Sequence, residues 1–469
     1  MTLRVGAHDY RTDPLLPQKD GVNFAHENIS ALLKAAAPSQ FTVEFHDFPR
    51  LLDDEGAARA ALEGLDCVVS NVGPHAQYYF WLREKLGLDF RIVRDVRTAI
   101  WSSYLFQEHL LAPLLRPSDT LMVASHYTWG IYRKMFPQLA NYPTSLCYPL
   151  SVCFPQPRPA PRREGPLQPG LVTIGYLGRL SDDKNFPEIV DLVIRLNREA
   201  GDGTRCRLVA CGDIHSPACA SNKVSARIAA ELGEGDWYEY LPARPNEEIW
   251  DLLARFDMLL FPSTSNLETF GRVLIEAAYA RVPVIAGYHA AATELVHESG
   301  LCTVDYERDH VFSAHFDHQL GRVNGAEMAR AASSGELHVS DQYERYADHP
   351  RAFLDMLLET PAIADPVLHP TQEAFLEALE VALPPLPSRA QAMEWLPEHV
   401  EWFLDLQRKS TPAYAEKMAR LLELSQHPER TERFIGKSAT TNADFTNVGG
   451  IDIELCHLRG FYPEFSIRG

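Results

Sequence analysis

The chain has 469 residues, 46% of them hydrophobic and 23% charged, which is the composition of a globular protein. It is too long for one hydrophobic core, so two or more domains are expected. Its 44 lysines and arginines stand against 63 aspartates and glutamates, a net charge of −19 that disfavours nucleic acid or an anionic membrane as the main partner.

The first residues, "MTLRVGAHDY", lack the basic-then-apolar layout of a signal peptide. No apolar run approaches the roughly 20 residues of a membrane span. Short apolar runs then alternate with helical patterns. Strands are expected at 3–7, 41–46, 66–72, 90–96, 119–125 and 145–149, with helices at 24–37, 75–87, 101–115 and 126–136. Such alternation predicts a parallel sheet covered on both faces, here a first domain over 1–152.

Six prolines fall within residues 155–169, "PQPRPAPRREGPLQP", and predict an extended hinge over 153–170. A second alternation occupies 171–305. Its strands are expected at 171–177, 205–211, 236–241, 257–261 and 282–286, and its helices at 186–200, 220–232, 246–255 and 271–280. Residues 306–469 read as an insertion followed by a mostly helical extension, with helices at 371–382, 394–408 and 411–425; the tail 435–469 has no assignment. Eight cysteines are scattered without any C-x-x-C pair, as expected of free thiols in a reducing compartment. The expectation is a soluble, cytoplasmic protein.

Two stretches concentrate candidate chemistry. In "GYLGRLSDDKNF" a strand ends at Gly178, where the backbone can approach a ligand, and Arg179 and Lys184 supply cations for phosphate oxygens. In "PSTSNLETFGRVLIEAA" the free N–H groups of a helix opening at Gly271 would attract phosphate. Glu268 and Glu276 flank that glycine. The plainer alternatives are a solvated basic loop and an Arg272–Glu276 surface pair at i, i+4. Adjacent Asp182 and Asp183 have no third ligand in their segment, so no metal site is expected.

In order and spacing these motifs resemble the retaining family 4 glycosyltransferases of GT-B fold. The resemblance is clearest over 171–304: "IGYLGRLSDDKNF", "LVACGD", "YLPARPNEEIWDLLARFDMLLFPS", the Glu-x7-Glu segment and "TELVHESGLCTV". It implies an α/β architecture of two Rossmann-like, doubly wound domains facing across a cleft. It also implies transfer of a sugar from a UDP- or GDP-sugar to a small-molecule or glycan acceptor, without metal or cofactor. Arg179, Lys184 and Gly178 then look like the diphosphate clamp, and Gly271, Arg272 and Val273 like the second phosphate cradle. Glu276 looks like the ribose ligand and Glu268 like the carboxylate facing the donor sugar. Glu294 fills a position that is usually acidic in the family.

The first half resembles the family's acceptor domain more loosely. Gly21 is the glycine of the loop region after the first strand, and His75 corresponds to a loop histidine after the third. Arg94 and Asp95 stand where the family often has "VHG" after the fourth strand. Arg281 replaces the glycine of the family's "ACG-x-PV", which bears on the shape of the sugar pocket. In the front-face scheme drawn for such enzymes the leaving phosphate accepts the acceptor's proton. The residues leave open two other readings, a GT-B sugar-nucleotide epimerase and an inactive GT-B partner subunit.

Overall fold

The computed structural model describes residues 2–9, 21–36, 38–70, 77–97, 105–160, 166–200, 203–265, 268–306, 320–378 and 385–407. Two six-stranded sheets organise them. The first contains β1 (Leu3–His8), β2 (Phe41–His46), β3 (Cys67–Ser70), β4 (Arg91–Val96), β5 (Thr120–Val123) and β6 (Thr144–Leu146), in the order β2-β1-β3-β4-β5-β6. The second contains β7 (Leu171–Leu177), β8 (Arg205–Cys211), β9 (Tyr238–Leu241), β10 (Met258–Phe261), β11 (Val284–Gly287) and β12 (Leu301–Cys302), in the order β12-β11-β10-β7-β8-β9. Every pairing within both sheets is parallel. Strands β3, β5, β10 and β11 are buried at every position, as a sheet covered on both faces requires.

The chain direction across each sheet reverses at a switch point, between β1 and β3 in the first and between β7 and β10 in the second. Ligands of such sheets bind outside the carboxyl ends of the strands at that point. The loops leaving β7 and β10 carry the two motif stretches, so the topology alone places them side by side.

Between β2 and β3 lie two helices absent from the sequence reading, Phe48–Asp53 and Glu55–Leu62. Asp54 caps the second, accepting from the Gly56 and Ala57 amides at 2.8 and 3.1 Å. Residues 306–350, expected as an insertion, contribute an antiparallel pair, β13 (Val304–Tyr306) with β14 (Gly321–Val323), and the helix Gly325–Ser333. That helix packs Met328 and Ala329 into the core beside Ile189 and Val193. The chain then crosses back to the first domain. Phe353, Met356 and Leu357 of helix His349–Leu358 pack with Val5, Ile29 and Val93. Helices Pro370–Ala378 and Arg389–Gln407 add Phe375, Leu376, Ala392 and Leu396 to the core around Leu110 and Tyr127. The expected helix 411–425 and the tail 435–469 lie outside the described residues.

Part of the proline-rich segment is anchored. Arg158 donates to the Tyr279 and Ala278 carbonyls at 3.2 and 3.0 Å and stacks 4.4 Å from the Tyr343 ring. A third core, around Phe261, Phe270 and Leu274, draws in Phe24, Ala124 and Tyr148 from the first domain, so the two domains meet in packed contact. Among the described residues no helix is long and apolar enough to cross a membrane.

Candidate functional site

The loop after β7 runs through Gly178 and Arg179 into a single 3-10 turn, Asp182–Lys184. Gly178 packs tightly: a Cβ on its neighbour Gly212, whose φ is +152°, would lie 1.8 Å from the Gly178 carbonyl oxygen. Asn185 follows at a φ of +54° and ties this loop to the next. Its Nδ2 donates to the Pro262 carbonyl at 2.7 Å and to Thr264 Oγ1 at 3.0 Å, both just beyond β10.

That tether brings Lys184 onto Glu268, with Nζ donating to Oε2 at 2.9 Å. Their side chains are only 16% and 14% exposed, so Lys184 is not a solvated loop cation. Burial pushes the Glu268 carboxyl up, but Lys184, His289 and Arg179 outweigh it and hold its pKa below the ordinary carboxylate value. Arg179 and Lys184 therefore act electrostatically on one carboxylate, a convergence that the reading of them as a phosphate clamp did not include. Asp182 is exposed, and among the described residues no group of three His, Cys, Asp or Glu side chains is placed to hold a metal ion.

Gly271 is the N-cap of helix Arg272–Tyr279, at a φ of +75° that favours glycine. A side chain there would also meet Leu274 Cδ1 and Phe261 Cζ, each at 2.9 Å. Val273 packs against the core shared by the domains. Arg272 Nε lies 2.9 Å from Glu276 Oε1, so the i, i+4 pair exists, but Glu276 is 1% exposed and the pair is no surface decoration. The geometry is that of an ion pair and not of a directed hydrogen bond, and Oε1 remains buried without a hydrogen-bond partner. Burial accordingly raises the Glu276 pKa, with Arg272 opposing it. The Arg272 guanidinium also sits 4.3 Å from the Phe24 ring of the first domain.

From the first domain, Gly21 lies in helix Gly21–Ala35, and His75 lies outside the described residues. Arg94 and Asp95 belong to β4 itself and not to a loop beyond it. Arg94 pairs with Glu108 at 2.5 Å and Asp95 with Arg97 at 2.5 Å, all buried. Both therefore lie inside the fourth strand, buried in ion pairs, and not after it as the resemblance implied.

Three further residues escaped the sequence reading. His289, two positions beyond β11, is buried with Nε2 at 3.2 Å from the Ser265 carbonyl and Nδ1 at 3.3 Å from the Tyr306 hydroxyl. Its place at a strand's carboxyl end is the signal that would have found it. Thr269 receives bonds from Ser125 Oγ at its carbonyl (2.8 Å) and donates from Oγ1 to the Arg97 carbonyl (2.9 Å). Thr269 and Arg97 thus join the donor-side loop to the first domain. Glu294 has its role fixed by contacts. Its Oε2 and Oε1 accept from the His126 and Tyr127 amides at 2.9 and 2.8 Å, at the start of helix His126–Met135, and Oε1 also accepts from Gln372 Nε2 at 3.0 Å. A second-domain carboxylate therefore caps a first-domain helix. A shallow groove of about 440 Å³ between helices Phe186–Ala200 and Gly325–Ser333 contains none of these residues.

Residues 158–317 match the family described as glycosyl transferases group 1. A D-inositol 3-phosphate glycosyltransferase of Nocardia farcinica is 30% identical over 129 residues, 28% of this chain and 28% of the relative. A protein of the same name from Stackebrandtia nassauensis is 30% identical over 145 residues, 30% of this chain and 32% of the relative. The chain thus aligns with less than a third of the length of these curated relatives. Among solved structures, a lipopolysaccharide outer core galactosyltransferase in its apo form aligns with a TM-score of 0.49 at 15% identity, over 76% of this chain and 99% of the other. The Anabaena protein HepE, in complex with UDP and glucose, aligns with a TM-score of 0.44 at 14% identity, over 85% and 99%. The family match, the doubly wound topology and the charged loops after β7 and β10 fall on the same segment: residues 158–317 of this chain are similar to a group 1 glycosyl transferase domain.

Proposed function

We propose that the chain is a retaining glycosyltransferase that moves a sugar from a UDP- or GDP-sugar to an acceptor nucleophile, without metal or cofactor. The observation that carries this reading is the convergence of Arg179 and Lys184 on the buried Glu268, beside the glycine-opened helix at Gly271.

Each part has a physical task. Leaving-group charge grows on the diphosphate as the glycosidic bond breaks. Arg179, Lys184 and the free amides after Gly271 would stabilise it in a site largely closed to water. Glu268, kept ionised by its cations, would stabilise the oxocarbenium-like sugar. Glu276 offers a buried oxygen that lacks a hydrogen bond, which suits the ribose hydroxyls of the donor. The leaving phosphate itself would take the acceptor's proton on the same face, which retains the configuration. The family model matches residues 158–317, the donor side, and so it supports the donor reading while leaving the acceptor open.

The test is calorimetric titration with UDP and GDP, followed by incubation with the corresponding nucleotide sugars. Nucleotide binding with slow release of diphosphate is the expected result. Unchanged nucleotide with an altered sugar would identify an epimerase, and no binding at all would leave an inactive subunit. Arg179→Ala should lower turnover by about 10²–10³, the usual effect of losing one preorganised charge.

A further inference from the structure

Arg97 directly follows β4 at its carboxyl end, the edge where ligands of such sheets bind. Its side chain is 7% exposed, and its Nε donates to Asp95 Oδ2 at 2.5 Å. The guanidinium lies 4.6 Å from the Tyr148 ring, which packs edge-on against Phe270 at 4.5 Å. Its carbonyl holds Thr269, the residue between Glu268 and Phe270. Yet both Nη1 and Nη2 are buried without any hydrogen-bond partner. A buried guanidinium with four unused N–H bonds is expensive unless something accepts them.

We infer that Arg97 is the binding residue for an oxyanion, a phosphate or carboxylate group, carried by the acceptor. This rests on the glycosyltransferase reading. A planar fork with two free nitrogens matches two oxygens of such a group, and the stacking on Tyr148 together with the Asp95 bond fixes its orientation in advance. The acceptor is the source favoured by position. Arg97 comes from the first-domain sheet, whereas Arg179, Lys184 and the Gly271 helix of the second domain already serve the two donor phosphates. The Thr269 bond ties the Arg97 backbone to the residue that follows Glu268, which puts Arg97 on the first-domain side of that loop, where an acceptor would approach.

The experiment uses inorganic phosphate as the probe, titrated into the full chain by ³¹P NMR at constant ionic strength, first alone and then with UDP saturating. Arg97→Gln and Arg97→Lys are compared with the parent; the lysine keeps a cation beside Asp95 if the glutamine variant fails to fold. Phosphate should bind the UDP-saturated parent, bind at least tenfold more weakly to either variant, and leave UDP affinity within about threefold of the parent's. The inference is overturned if UDP displaces the phosphate, or if the variants lose UDP affinity, since the fork then serves the donor. It is equally overturned if phosphate binds parent and Arg97→Lys alike. UDP binding to the parent tests the glycosyltransferase reading separately.

Discussion

Lys184 Nζ stands 2.9 Å from Glu268 Oε2, joining the loop after β7 to the loop after β10 as one charged unit. The two residues are 84 positions apart in the chain, and both side chains are mostly buried. Removing Lys184 leaves a buried carboxylate with only His289 and Arg179 to offset it, and removing Glu268 frees the cation. The consequences are therefore asymmetric.

Lys184→Ala should lower both turnover and stability, the latter by about 3 kcal/mol, the scale for orphaning one member of a buried pair. The double variant Lys184→Ala with Glu268→Gln should regain part of that stability without regaining turnover. Glu268→Gln alone should lower kcat by about 10²–10³ while nucleoside diphosphate binds at least as well as before, because a competing carboxylate is gone. Urea melts and calorimetry on the cycle measure this. Additive stability losses would show that the pair is not coupled.

Glu294 governs how the domains meet. Its carboxylate accepts two backbone amides at the start of helix His126–Met135 and the Gln372 amide. Glu294→Ala would leave those donors buried and unpaired, at about 1.5–3 kcal/mol for a bond to a charged group. The expected outcome is a stability loss of that order, with nucleoside diphosphate affinity little changed, since no donor contact is assigned to Glu294. A melt indistinguishable from the parent's would show that these bonds do not hold the domains together.

The candidate donor side was legible because its residues are local in sequence: Gly178 to Lys184 follow β7, and Glu268 to Glu276 run from the loop after β10 into helix Arg272–Tyr279. Every strand of the two six-stranded sheets except β12, only two residues long, showed as an apolar run. What stayed hidden depends on distance along the chain. Glu294 meets His126 across 168 residues, and Arg97 meets Thr269 across 172. The helices over 48–62 are only six and eight residues long, shorter than the window over which a helical period can be read. Resemblance to the family's "VHG" sets Arg94 and Asp95 after the fourth strand, whereas they lie inside that strand, each in a buried ion pair.

Arg281, which stands where the family has glycine, adopts a φ of +63°. Its amide bonds the Ala278 carbonyl at 3.2 Å and the next amide, Val282, bonds the Ala277 carbonyl at 2.9 Å, the pairing of a Schellman helix end. The residue therefore occupies the left-handed position that glycine fills at least cost. Its Nε is buried without a partner, so no hydrogen bond from that atom is lost on truncation. Arg281→Gly should stabilise the chain by about 1 kcal/mol. Turnover should not change, because an eight-residue helix separates this end from Gly271 by roughly 12 Å. Differential scanning calorimetry beside steady-state kinetics checks both. A loss of activity would place Arg281 in the sugar pocket after all.

Glu276 should show a conflict between stability and binding. Burial raises its pKa in the folded chain, and Arg272 only partly offsets this. Between the ordinary carboxylate pKa and the raised one, the folded state keeps a proton that the unfolded state has released. Stability therefore falls as pH rises through that window and stays lower above it. Glu276→Gln removes the ionisation, so the variant should melt higher than the parent at pH 7–8, and the gap should close as pH falls below the ordinary carboxylate range. The same substitution takes away the charged acceptor proposed for the ribose hydroxyls. A hydrogen bond to a charged group is worth about 1.5–3 kcal/mol, so UDP or GDP affinity should fall roughly ten- to a hundredfold. KM for the donor should rise more than kcat falls, since the ribose bonds do not change along the reaction. Melting curves across pH, with and without nucleotide, read both effects from one protein. If Glu276→Gln melts lower than the parent at pH 7 and binds nucleotide as tightly, the carboxylate serves Arg272 and the fold, and the ribose assignment falls.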